Sequence, residues 1–188
     1  MKLSDGRITL RPATPADEER LWEILQEPEI VRWWGHEARE DLQSHLAGRE
    51  QAVPFVIEHA GATAGMIQYC EENDPEFRHA GIDIYLTARL HGRGLGAAAI
   101  RLMVQHLQAL GHHRITIDPA AANHAAIRCY LSVGFQEVGV MRAYWRDPDG
   151  VWRDGLLMEL VAPQATSGSS SGSSGSIDAP GATRRSSS

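Results

Sequence analysis

Between Gly81 and Phe135 the chain twice passes from a strand-like run, through a turn, into a helix-periodic run. That order constrains the fold more than any other feature. In the first passage, GIDIYLTARLHGRGLGAAAIRLMV, Ile82 and Ile84 alternate with Asp83 and Tyr85, so the two pairs occupy opposite faces of a strand. After Gly94, the residues Leu95, Ala99, Leu102, Met103, Leu107 and Leu110 fall on one helical face, and Gly111 stops the helix. In the second passage a short strand over 114–117 leads to a helix from about His124 to Val133, opened by Asn123 as N-cap.

The flanking segments complete a mixed α/β sheet with helices on both faces. Residues 7–11 read as a first strand with Ile8 and Leu10 on one face, closed by Pro12. Thr14 and Pro15 open a helix that turns Leu21, Trp22, Ile24 and Leu25 inward and stops near Pro28. A second helix is expected over 36–48, carrying Ala38, Leu42 and Leu46. Residues 53–58 and 63–70 form a hairpin around Ala60 and Gly61, and the acids Glu71, Glu72, Asp74 and Glu76 crowd the following loop. Strands over 135–142 and 155–161 are expected to pair around the turn at Pro148, Asp149 and Gly150. The expected domain is 1–162, and the Ser/Gly-rich run 163–188 is expected to be a flexible tail, since it offers nothing to bury.

Composition removes several functional classes. No apolar run reaches the roughly 18 residues of a membrane span, and the start MKLSDGRITLRP has no apolar core of a signal peptide, so a cytoplasmic protein is expected. The 24 acidic and 18 basic side chains leave a formal charge of -6 without a basic block. That balance speaks against nucleic acid and mildly for a small cationic partner. Cys70 and Cys129 sit in apolar patterns and are expected as buried thiols, not as a disulfide or zinc site. His112 and His113 follow a helix-ending glycine and read as partners of the helix dipole, and no other group has metal-ligand spacing.

The segment HGRGLG, from His91 to Gly96, lies between the first strand and its helix. Glycines before a helix leave backbone N–H groups unpaired and aimed outward, which suits a pyrophosphate; a plain turn needing positive φ reads equally well. The spacing departs from the dinucleotide fingerprint, and no Gly-Lys-Ser/Thr follows as an ATP loop requires. Arg93 can add a charge-assisted contact to phosphate. Asp83 can bind an ammonium and take its proton, or serve only as a strand acid. Asp118 ends a strand before Pro119, where α/β sheets place ligands; a second carboxylate there suits a polyamine, and a turn role fits as well. Trp33 and Trp34 follow an apparent helix end at Val31, and one of them, Trp34, is expected to wall an acceptor pocket.

Gly92-Arg93-Gly94-Leu95-Gly96 resembles the acyl-CoA pyrophosphate loop of the Gcn5-related N-acetyltransferase (GNAT) superfamily, and Asp118 to Phe135 resembles its next motif. Val31-Arg32-Trp33-Trp34-Gly35, Gly81-Ile82-Asp83 and the block from Asp118 through Asn123 to Tyr130 extend the likeness to the aminoglycoside 6'-N-acetyltransferases. It covers residues 7 to about 161. The resemblance implies a mostly antiparallel central sheet in which two parallel strands splay around acetyl-CoA, with no metal. It implies pantetheine contacts at Ile84, Tyr85 and Leu86, and a coenzyme site completed by His91, Gly92, Arg93, Gly94, Leu95, Gly96, Asn123 and Ala126. Asn123 serves first as a helix cap. Tyr130 is implied as the acid that protonates the departing CoA thiolate, a role a phenol of pKa ~10 can fill, against the plainer reading of a core aromatic. Asp83 is implied at the acceptor site.

Two departures stand out. His91 occupies a position where the superfamily usually has Gln or Arg, which implies weakened coenzyme binding. The loop from Ala143 to Asp154 is longer and more aromatic than in the aminoglycoside enzymes. Acylation of a siderophore precursor or a protein N-terminus, and a non-catalytic acyl-CoA-binding module, therefore stand as alternatives. The expected partner is a small-molecule amine, met by a monomer or homodimer.

Overall fold

The computed structural model describes residues 1–162; the Ser/Gly-rich tail expected over 163–188 lies outside them. The chain forms β1 (Leu3–Ser4), β2 (Ile8–Pro12), α1 (Glu18–Leu25), α2 (Pro28–Trp34), α3 (Arg39–Leu46), β3 (Val53–His59) and β4 (Ala62–Glu72). It continues through β5 (His79–Leu86), α4 (Leu95–Ala109), β6 (Arg114–Ile117), α5 (His124–Val133), β7 (Gln136–Arg146) and β8 (Trp152–Val161). One sheet takes the order β1-β2-β3-β4-β5-β6-β8-β7. Every neighbouring pair is antiparallel except β5 and β6.

Strand alternation decides which side each helix covers. Ile8, Leu10, Phe55, Ile57, Ile67 and Ile82 face α4 and α5, where they meet Leu95, Met103, Leu107 and Ile127. Val56, Met66 and Tyr85 point the other way, onto Leu21, Ile24, Leu25, Ile30, Leu42 and Leu46 of α1–α3. The sheet is therefore covered on both faces.

The parallel pair is brief. Ala80 pairs with Ile115 and Gly81 with Thr116, and there the register ends. β5 runs on to Leu86 while β6 stops at Ile117. From Ile82 onward, the edge of β5 that faces β6 has no strand beside it, and a gap opens in the sheet.

Several boundaries differ from the sequence reading. The first helix ends at Leu25, and Pro28 starts a helix of its own. Proline at a first helical position loses only an N–H that would be unpaired anyway. Trp33 and Trp34 thus sit in the last turn of α2, not in a loop, and Gly35 ends that helix at φ +89°. α3 begins at Arg39, later than expected. Glu71 and Glu72 belong to β4, and β7 and β8 extend to Arg146 and back to Trp152. β1, two residues long, carries no periodic signal. Cys70 is exposed and Cys129 only partly covered, so neither is the buried thiol expected. His112, expected as a dipole partner at the end of α4, is buried, and its Nε2 lies 2.6 Å from Glu71 Oε1. No helix among the described residues is long and apolar enough to cross a membrane.

Candidate active site

The gap between β5 and β6 opens into a cleft of about 610 Å³. Ile82 to Leu86 form its floor, the turn into α4 one wall, and the passage from Asp118 to Tyr130 the other; Trp33 and Trp34 close one end.

Gly92 and Gly94 adopt left-handed backbone, φ +71° and +73°, which a side chain would strain. Gly94 caps α4, and the first helical bond runs from Ala98 N–H to Gly94 C=O, 3.1 Å. Among the described residues no group accepts from the amides of 92–97, so they are free to meet an anion at the helix start. The turn is held from outside by the Arg7 guanidinium, which donates to Arg93 C=O at 2.7 Å. His91 Nε2–H donates to Leu86 C=O, 2.8 Å, and fastens the turn to the end of β5. One carbonyl expected to face pantetheine is thereby engaged internally. Arg93, expected to contact phosphate, does not line this cleft; it lines a separate depression with His59, Thr63 and Arg89.

Asn123 caps α5, its Oδ1 accepting from Ala126 N–H at 3.2 Å, and Gly134 ends the helix at φ +116°. Tyr130, 8% exposed, projects from α5 into the cleft, and its ring lies 6.4 Å from that of Phe135. Its hydroxyl has no partner among the described residues. Burial, with smaller contributions from Cys129, Asp83 and Asp118, pushes its pKa well above the phenol value of 10.

Asp83 and Asp118 both line this cleft. Gln68 Nε2 donates to Asp83 Oδ2 at 3.4 Å. Burial and the charge of Asp118 raise the Asp83 pKa, while Gln68 and His45 pull it back. Asp118 accepts a hydrogen bond at Oδ2 from the hydroxyl of Tyr144.

Trp34 lines the cleft and is also anchored: its edge meets the Tyr85 ring at 4.9 Å, and Nε1–H donates to Glu37 Oε2 at 2.7 Å. Trp33 carries the Arg32 guanidinium 4.6 Å above its ring. Tyr85 itself is buried among α1–α3, so only its backbone belongs to the free edge of β5.

Three contributors were assigned no contact in the site from sequence. Glu27 binds the turn after β5 with both oxygens, from Thr87 Oγ1 at 2.6 Å and Ala88 N–H at 2.7 Å. Gln68 and Tyr144 each touch a cleft carboxylate. Only the register Gln68↔Asp83 across a hairpin was within reach of sequence; the other contacts have no local signal.

Comparison with known proteins agrees with this geometry. The family model described as "Acetyltransferase (GNAT) domain" matches residues 7–136. The aminoglycoside N(6')-acetyltransferase type 1 of Klebsiella pneumoniae is 32% identical over 168 residues, spanning 78% of this chain and 81% of the relative. The [ribosomal protein bS18]-alanine N-acetyltransferase of Salmonella typhimurium is 23% identical over 157 residues, spanning 81% and 96%. A crystal structure of AAC(6')-Ib with coenzyme A and kanamycin superposes at TM-score 0.68 with 29% identity, covering 82% of this chain and 94% of that one. An eight-stranded sheet with one parted parallel pair, free amides at the start of α4 and this family match together make the chain a member of the GNAT acetyltransferase family.

Proposed function

We propose that the chain transfers the acetyl group of acetyl-CoA to a primary amine of a small polycationic acceptor, in the manner of an aminoglycoside 6'-N-acetyltransferase. The observation that carries this reading is the pair Asp83 and Asp118 on one cleft with Tyr130. Two carboxylates match an acceptor with several ammonium groups better than a monoamine. The 32% identity to the Klebsiella enzyme supports the same acceptor class.

In this reading the amides of 92–97 hold the diphosphate, and the free edge of β5 holds the pantetheine arm. Asp83 binds the acceptor ammonium and removes one proton, and its raised pKa makes it a stronger base than a surface carboxylate. The amine then attacks the thioester carbonyl within a prearranged complex. A backbone N–H on the β5 edge meets the developing oxyanion. Tyr130 gives its proton to the departing sulfur. A phenol held this far above its ordinary value is a reluctant donor, but part of the rise comes from Asp83 and Asp118. A cationic acceptor bound between those carboxylates offsets that small part, while burial sustains the rest.

A peptide N-terminus is the second reading, favoured by the bS18-alanine relative, of which the match covers 96%. Purified protein, acetyl-CoA and a panel of kanamycin, spermidine and an alanine-headed peptide separate the two by thiol release. Turnover is expected with kanamycin or spermidine; turnover with the peptide alone overturns the polycation reading.

A further inference from the structure

The edge strand β7 is bulged against its neighbour β8. Its register against β8 slips between Met141 and Trp145, and Ala143 inside the slip takes a left-handed backbone, φ +49°. An alanine keeps that conformation only where its surroundings compensate. Here Ala143 N–H donates to Asp154 Oδ1 at 2.8 Å, and Asp154 C=O in turn accepts from Ala121 N–H at 2.9 Å. The bulge is thus tied to the turn that carries Asp118.

The next residue, Tyr144, lies across Gly155. A Cβ built on Gly155 falls 2.6 Å from Tyr144 Cδ1 and 3.1 Å from Met141 Cε, so glycine supplies room for the ring. With 48% of its surface exposed, Tyr144 is not placed there by core packing. What it gains is the hydrogen bond from its hydroxyl to Asp118 Oδ2.

We propose that Tyr144 is a positioning residue for acceptor binding, holding the Asp118 carboxylate in one orientation so that Asp118 and Asp83 meet a polycationic acceptor as an aligned pair. This rests on the reading of Asp118 as an acceptor ligand. A phenol suits the task better than arginine or lysine. It orients the carboxylate without neutralising it, and Asp118 keeps its charge for an ammonium group. The hydrogen bond also keeps the phenol protonated, raising the Tyr144 pKa to about 12.

The test uses the full chain with kanamycin as the probe at saturating acetyl-CoA. It compares Tyr144→Phe, Gly155→Ala, Asp118→Asn and the double variant Tyr144→Phe/Asp118→Asn. Tyr144→Phe is expected to raise the KM for kanamycin about tenfold and to lower kcat less, since a ground-state contact is loosened. Gly155→Ala should reproduce the KM rise with the hydroxyl still present. The double variant should lose no more than Asp118→Asn alone, because one residue acts through the other. Coenzyme affinity by calorimetry should match the parent in all four, which separates the effect from misfolding. A parental KM in Tyr144→Phe beside a raised KM in Asp118→Asn overturns the proposal and leaves the acceptor reading standing. A parental KM in Asp118→Asn, or binding of neither kanamycin nor spermidine to the coenzyme-loaded protein, overturns both.

Discussion

Asp83 is the residue at which stability and activity oppose each other. Its carboxyl is held above the ordinary value of 3.8, chiefly by burial and then by Asp118. A raised carboxyl pKa means the folded state binds more protons than the unfolded one between the two values. Stability is therefore lost as pH climbs from about 4 through the folded pKa, and the loss persists at neutral pH. Asp83→Asn removes that loss, so the variant should melt at a higher temperature than the parent at pH 7, and the gap should shrink in acid. The same change removes the base, and kcat should fall by roughly 10²–10⁴-fold with coenzyme affinity retained. A variant that melts no higher contradicts the electrostatic account; one that keeps its kcat contradicts the catalytic one. Tyr130 and Asp83 were identifiable as residues because their motifs are local. Their shifted proton affinities were not, since burial and the approach of Asp118 arise only on folding.

At the scale of elements, the corner between α1 and α2 matters as much as the glycine turn. Glu27 spans 60 residues to accept from Thr87, which is 1% exposed, and from the next amide. It joins the helix that carries Trp34 to the turn that leads toward the coenzyme loop. Glu27→Ala leaves two donors without their acceptor and should cost about 1–3 kcal/mol in urea unfolding. Because the turn is displaced as well, calorimetry should show weaker coenzyme A binding; an unchanged Kd would show that Glu27 serves stability alone. The β5–α4 and β6–α5 passages were legible because their strand and helix periods are strong and their caps, Gly94 and Asn123, are local. α2 was misread because Pro28 can close one helix or begin the next, and adjacent residues do not distinguish the two. The length of β7 escaped for another reason. Nearly all of the strand is exposed, so no alternation marks it, and its pairing with β8 alone sets its extent.

For the whole molecule, the parted sheet is the feature that couples fold to ligand. Only two residue pairs join β5 to β6 before the strands separate, so the halves of the sheet meet through a short parallel contact and the helices above it. A ligand that fills the gap should act as the missing pairing. Coenzyme A at 100 times its Kd should stabilise the fold by about 2.7 kcal/mol, a rise in Tm of roughly 5–10 °C for a domain of this size. No shift with any CoA thioester would contradict the reading of the cleft.

By itself the sequence determined which side chains share a strand face or a helix stripe, where α4 and α5 begin, and the family resemblance, because periods of 2 and 3.6 and cap chemistry act over a few residues. Tertiary structure alone decided where β5 and β6 part, that Tyr144 reaches Asp118 across 26 residues, and that Arg93 lines a depression other than the cleft. Those outcomes depend on register and bulges between segments distant in the chain, where the energy of each contact exists only once the sheet has formed.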